Sequence, residues 1–369
     1  MTSTPSTERV GHRSTSPVDL TAQRLGRPLH AGLGAGSLAV GIVATLLAGG
    51  FRWGWSLVVS AIVYTVTIYV VSRRIEDPRK AKDRLATTVM TLAFGVVMLP
   101  LASVVWTVLG EGWSRFDSTF FSETMRLTPE QLAAQNDGVA VGGARHAAIG
   151  TLIVTGMATL LAVPFGLFTA IYLVEYGTGR LARGITAMVD VMTGIPSIVA
   201  GLFAYALFVI FFGAGTRSGL AAAVALTVLM TPVVVRAAEE MLRLVPNELR
   251  EASYALGVPK WKTIVKVVIP TAVAGILTGV TLAIARVIGE TAPLLVTAGV
   301  AQETNLNPFS GRMTTLPVFT YTSYKFPTLP PEASIDRAWA AALTLVLIVA
   351  VLFVVARILA AVLRPKGLR

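Results

Sequence analysis

Cysteine is missing from all 369 positions, which excludes disulfides, thiolate chemistry and iron–sulfur ligation. Histidine is nearly missing as well: His12, His30 and His146 lie far apart and offer no metal-ligand spacing. None of the seven lysines follows a glycine, so the chain has no Gly-Lys phosphate-cradling loop with which to hydrolyse ATP by itself. Charge is scarce, with 14% charged residues against 54% hydrophobic ones and a mean hydropathy of +0.70. That is too little polar surface to clothe a soluble globule, and it predicts a chain solvated by lipid.

What is there in abundance is apolar runs. A hydrocarbon layer of about 30 Å needs roughly 20 apolar residues in helix. Eight such runs occur, near Ala31–Gly50, Trp53–Val71, Leu85–Leu109, Ala147–Val174, Ile185–Gly213, Leu220–Val235, Ile269–Val300 and Trp339–Leu363. They are apolar on every face, unlike the alternating strands of a barrel, so the expected fold is all-α and polytopic.

Of the 31 Lys and Arg residues, 22 fall in the two tails and the second, fourth and sixth loops, and 8 fall in the opposite set of loops. Basic loops stay on the cytoplasmic side, so both termini are expected there. The same distribution accounts for the net charge of +11 without nucleic acid, for which no basic and aromatic binding array is present. Residues 1–30 are rich in Ser, Thr, Pro and Arg and read as a disordered tail, and too many polar residues precede the first apolar run for a signal peptide. Residues 31–84 read as a two-span hairpin with a basic loop, and 85–369 as a six-span core. Two long loops on the outer face, Gly110–His146 and Ala301–Arg337, are read either as partner-binding segments or as solvated connectors, the first with a short helix at Pro129–Gln135. The Gly-x-x-x-Gly pairs at Gly32 and Gly36, and at Gly275 and Gly279, predict close helix packing.

The loop between the sixth and seventh spans carries the sharpest local pattern. Pro246 suits a first helical turn, Glu248 and Glu251 favour its N-terminal end, and Gly257 can close it, which predicts a helix over about 246–257. Leu249, Ala252, Ser253 and Leu256 fall on one side, where small residues permit close approach of another surface. Glu251-Ala252-Ser253, Gly257, Val267, Ile269 and Pro270 match the EAA motif and its spacing, with conservative departures at Ser253, Val267 and Ile269. The loop therefore resembles the coupling helix of ABC importer permeases. This resemblance implies separate ATPase subunits that use ATP and Mg, with no cofactor bound by this chain. Glu251 would meet the ATPase electrostatically, Ala252 and Ser253 would fill its groove, and Gly257 would end the helix.

Ionisable residues within spans are costly and usually face a pathway or a partner. Three stand out: Asp190 in the fifth run, and Arg286 and Glu290 in the seventh. Arg286 and Glu290 are four apart, so a structural ion pair is one reading. Because Arg precedes Glu, the less favourable order, Arg286 is instead expected to meet Asp190 or to keep its donors free for an anion. Guanidinium suits phosphate, since its planar donors match two oxygens and its charge is permanent. Gly194 and Pro196, with Gly201, predict a kink that can hinge a gate, and Pro293 joins them as a hinge candidate.

Gly194-Ile-Pro-Ser-Ile-Val-Ala-Gly201, Arg286-Val-Ile-Gly-Glu-Thr-Ala-Pro-Leu-Leu295 and Leu316-Pro-Val-Phe-Thr-Tyr321 are similar to the PstA family of phosphate ABC permeases, a likeness covering the chain from about Leu85 onward. It implies a type I, MetI-like six-span core that forms half a pore. The implied partners are a PstC-like sister permease, two PstB-like ATPases and an extracytoplasmic PstS-like phosphate-binding protein. Sulfate or molybdate is the alternative cargo, and an ion-coupled secondary carrier the alternative class.

Overall fold

The computed structural model describes residues 26–50, 52–139 and 141–362; of the expected 1–30 tail, residues 1–25 lie outside them, as do the final residues from 363, while from Arg27 onward the chain is already helical. The chain divides into two compact units, Met1–Val104 and Val105–Arg369. Among the described residues every regular element is helical.

The first unit holds α1 (Arg27–Leu47), α2 (Trp53–Ile75) and most of α3 (Pro78–Gly112), within which the unit boundary falls. Gly49 and Gly50, with φ of 102° and 142°, make the turn between α1 and α2, a backbone that side chains resist. The two helices meet at Gly41, where a β-carbon would lie 2.0 Å from the Ser60 Oγ. Gly32 and Gly36 have open space around them instead, so the close contact lies one to two turns further along than the Gly-x-x-x-Gly spacing predicts. Buried Ser37, Thr45 and Ser60 return their hydroxyls to their own helix carbonyls, which satisfies them without water. At the other end of α2 the buried Glu76 carboxylate takes both Arg84 Nε and Nη2, at 2.6 and 2.8 Å, and Arg84 Nη1 reaches His30 Nε2 at 2.6 Å. This network joins the starts of α1 and α3 to the end of α2.

The second unit adds α4 (Ser118–Ser122), α5 (Pro129–Asn136), α6 (Arg145–Ile171), α7 (Gly179–Thr193), α8 (Ser197–Phe212) and α9 (Gly219–Arg243). It continues with α10 (Asn247–Ala255), α11 (Lys260–Thr263), α12 (Ile269–Val287), α13 (Ala292–Thr297), α14 (Leu316–Lys325) and α15 (Pro331–Val362). Wider turns at Tyr172–Tyr176 and Ile264–Val268 extend α6 and join α11 to α12. A capping box at Thr128 and Gln131 starts α5 where the sequence predicts it.

Helix α9 is the hub. Its Ala222, Leu226, Met230 and Val234 pack with Val154, Ala158 and Ala162 of α6, Ala283 and Val287 of α12, and Leu294 of α13. Small residues bring these helices close: Gly279 faces Ala237 and Gly275 faces Met241, as their spacing predicts, and Gly166 faces Val234. Ile210, Phe211 and Leu160 stay exposed, as lipid-facing residues do.

The expected spans need revision in four places. Among the described residues seven helices are long and apolar enough to cross a membrane, and the run expected as one span over 185–213 is a pair, α7 and α8, bent by 108°. The run over 269–300 stops at Val287, and α13 follows after a break. Helix α9 runs on past Val235 to Arg243, because Arg236, Glu239 and Arg243 pair along it. Helix α15 begins at Pro331, before the expected Trp339, and carries Arg337 into the core, where the guanidinium donates to Val141 O at 2.7 Å and Thr328 Oγ1 at 3.1 Å. The second long loop is no solvated connector either, since α14 buries Leu316, Val318 and Phe319.

Candidate functional site

Two helix breaks face each other. The first is Gly194-Ile-Pro196, where Pro196 is the N-cap of α8 with φ −60° and ψ 136°, so it sits outside the helix and not at a kink within it. Proline ends α7 because the preceding residue avoids helical backbone and its own ring cannot donate. The second break spans residues 288–291 between α12 and α13. They are held together by Gly201 of α8, which meets Pro293 of α13 so closely that a β-carbon would lie 2.6 Å from the Pro293 Cα. Two of the motifs read from the sequence thus touch. Gly201→Val should lower stability by about 1–3 kcal/mol, because the opposing atoms are backbone and cannot turn away. A fall in the thermal unfolding midpoint in detergent checks this, and an unchanged midpoint would contradict the contact.

The three ionisable residues do not form one cluster. Asp190 on α7 is ion-paired with Arg236 on α9, not with Arg286. Arg236 also donates to the buried Glu239 at 2.7 Å, and Glu239 accepts from Arg243 at 2.5 Å. The exposed Asp190 carboxylate thus has its counter-ion on a neighbouring helix. The Arg286–Glu290 ion pair, one of the readings open in the sequence, is absent for a simple reason: α12 ends at Val287, so Glu290 does not share its helical face. Glu290 sits half-buried in the break, its N–H donating to Val287 O at 3.1 Å. Among the described residues Arg286 has no hydrogen-bond or ion-pair partner, and its side chain is exposed on a helix apolar enough to span a bilayer. Of the readings open in the sequence, the one with free guanidinium donors is the one the geometry matches.

The loop after α9 is built as a clamp. Pro246 caps α10, which starts one residue later than expected, and Gly257 with φ 75° closes it. Gly257 N donates to Tyr254 O at 2.9 Å and Val258 N to Ser253 O at 3.2 Å, the paired bonds of a Schellman end. Leu249, Glu251, Ala252 and Leu256 are exposed, Leu256 by 83%. Ser253 departs from expectation. It is 8% exposed and bonds Thr263 Oγ1 at 2.8 Å, so it fastens α10 to α11 and does not offer its side chain to a partner's groove.

The residue that anchors the loop went unseen in the sequence. Arg250 Nε donates to Glu175 Oε1 at 3.0 Å, Nη1 to Val245 O at 2.6 Å and Nη2 to Leu242 O at 3.0 Å. Both side chains are buried, at 12% and 5% exposure. Lys260 adds a bond to Glu175 O and lies over the Tyr176 ring, 4.7 Å from its centroid. The helical spacing of Arg236, Glu239 and Arg243 could have signalled their pairing, but Glu175 and Arg250 are 75 residues apart and no local pattern links them.

A bundle of membrane-spanning helices with two apposed breaks and an exposed amphipathic helix in a loop defines a multi-pass permease. The family profile described as binding-protein-dependent transport system inner membrane component matches residues 162–367. The phosphate transport system permease protein PstA 1 of Mycobacterium tuberculosis (strain ATCC 25618 / H37Rv) is 50% identical over 283 residues, covering 76% of this chain and 88% of its own length. The PstA proteins of Mycobacterium leprae (strain TN) and Pasteurella multocida (strain Pm70) are 46% and 37% identical, covering 76% of this chain and 89% and 95% of their own lengths. This chain belongs to the PstA family of permeases, within the binding-protein-dependent inner-membrane components. A chain of the inward-facing MetNI methionine ABC transporter is 19% identical with a TM-score of 0.47, covering 65% of this chain and all of its own.

Proposed function

We propose that this chain forms half of the pore of an ATP-driven importer of inorganic phosphate. The unpaired guanidinium of Arg286, beside the break that holds Glu290, carries this reading, because a cation left without a counter-ion in a spanning helix needs an anion to meet. A PstC-like sister permease completes the pore. Two PstB-like ATPases engage the exposed face of α10, chiefly Glu251, Ala252, Leu249 and Leu256, while Ser253 and Arg250 tie that face to the bundle. A PstS-like receptor delivers phosphate from the other side. Lys and Arg crowd the α10 side of the chain, which supports a cytoplasmic α10 and cytoplasmic termini. Asp190, through Arg236, positions α7 against α9, and Gly194, Pro196 and Pro293 are the points about which α7, α8 and α13 move.

The reading is tested by reconstituting the chain in liposomes with the sister permease and ATPases. Phosphate uptake is expected to require ATP and the receptor, and Ala252→Asp is expected to reduce it at least tenfold while ATPase binding falls or hydrolysis continues without transport. Nucleotide-independent uptake by this chain alone would overturn it.

A further inference from the structure

At the end of α9 away from α10, two arginines converge. A β-carbon on Gly299 would lie 3.0 Å from the Arg217 Cδ and 3.5 Å from the Arg312 Cδ, which puts those two carbons within 6.5 Å of each other. Their approach is set by backbone. Ser218, next to Arg217, donates its N–H to Thr297 O at 3.1 Å, and Met313, next to Arg312, donates to Ala298 O at 3.2 Å. Both arginines are thus pinned beside the C-terminal end of α13, around a glycine whose φ of 71° and tight surroundings admit no side chain.

Neither guanidinium has a hydrogen-bond or ion-pair partner among the described residues, and Arg312 is exposed while Arg217 is half-buried. The carboxylate in the same loop as Arg312, Glu303, is ion-paired with Arg126. A simple role in capping α13 is not what the contacts describe, because its terminal carbonyls accept from Ser218, Met313 and Gly299 N–H groups. The first-turn donors of α9 are taken too, Leu220 N by Pro308 O and Ala221 N by Ser218 Oγ. What remains is two permanent positive charges on side chains whose δ-carbons lie within 6.5 Å of each other, one exposed and one half-buried, an arrangement that an anion bridging them would favour. Two planar forks suit a tetrahedral oxyanion, which offers an oxygen to each donor.

The position adds meaning. Helix α13 lies between the break at Glu290 and Gly299, and its six residues span about 9 Å at 1.5 Å each. The arginine pair therefore lies one short helix away from the Arg286 break, on the side opposite α10. We propose that Arg217 and Arg312 form a receiving site for the transported oxyanion, from which it passes along α13 to Arg286. This rests on the reading of the chain as half a phosphate pore.

The test uses the assembled transporter with its receptor and ATPases in proteoliposomes. Phosphate uptake by the Arg217→Gln, Arg312→Gln double variant is expected to fall at least tenfold, with receptor-stimulated ATP hydrolysis within twofold of normal. The double Lys variant, which keeps the charge but not the fork, should recover part of the loss. Arg312→Gln alone, at an exposed position, should show a smaller loss in the same direction. Inorganic phosphate added to the transporter without receptor should broaden its phosphorus NMR signal, and the double variant should abolish that broadening. Unchanged uptake in the double variant, or loss of receptor affinity in parallel with uptake, would overturn the proposal, the second by assigning the arginines to a receptor carboxylate. Arg286→Gln measured alongside separates the two readings: if it blocks uptake while the double variant does not, only the receiving site falls.

Discussion

Replacing Arg286 by Gln is expected to cut phosphate uptake by at least a hundredfold while assembly of the transporter continues. Hydrogen bonds from a charged donor contribute about 1.5–3 kcal/mol each, so losing two to a passing oxyanion amounts to two or more powers of ten. Stability should move the other way or not at all. The guanidinium makes no hydrogen bond or ion pair within the described chain that its removal would break, and a charged Arg in a spanning helix is costly to insert. Opposite signs for transport and stability distinguish a pathway residue from a structural one. Arg286→Lys should restore little, since a single ammonium lacks the planar fork. Uptake assays beside thermal unfolding check both halves, and normal uptake by the Gln variant would remove Arg286 from the pathway.

Arg250→Ala should do the reverse, damaging the fold and the coupling together. It strips the partner from Glu175, whose side chain is 5% exposed, and frees the carbonyls of Leu242 and Val245. Leaving a buried carboxylate unpaired costs about 3–5 kcal/mol. Because Arg250 fastens α10 to the end of α6, its loss lets the partner-facing helix move without moving the bundle. We expect the unfolding midpoint to fall and the ATP hydrolysed per phosphate transported to rise several-fold. Replacing both Arg250 and Glu175 by Met should return much of the stability, since no charge is then stranded, but not the coupling. If the double variant regains full uptake, the ion pair is not the link between α10 and α6.

The site was legible in unequal measure. Arg286 and Glu290 were conspicuous because charge in an apolar run is rare, and Gly194 and Pro196 because Pro resists helix. What they do locally was harder to read. The run over 185–213 is apolar throughout, and apolarity does not register a 108° bend. Likewise Arg286 and Glu290 have helical spacing, yet the helix ends between them. Asp190 and Arg236 illustrate the other limit: Asp190 was conspicuous in an apolar run, but its partner lies 46 residues away and only packing of α7 on α9 pairs them.

Composition and periodicity alone were enough for a lipid-solvated all-helical chain, for the helix over about 246–257, and for its closure at Gly257, because these depend on solvent transfer and on backbone preferences that act within a few residues. Which ion meets which was decided by the tertiary structure. Glu175 finds Arg250 across 75 positions, Ser253 turns to Thr263, and Arg217 and Arg312 converge on Gly299. Such pairings have no local signal, since a charge or hydroxyl is bound by whatever helix packing places within about 3 Å of it, and that placement is a property of the whole bundle.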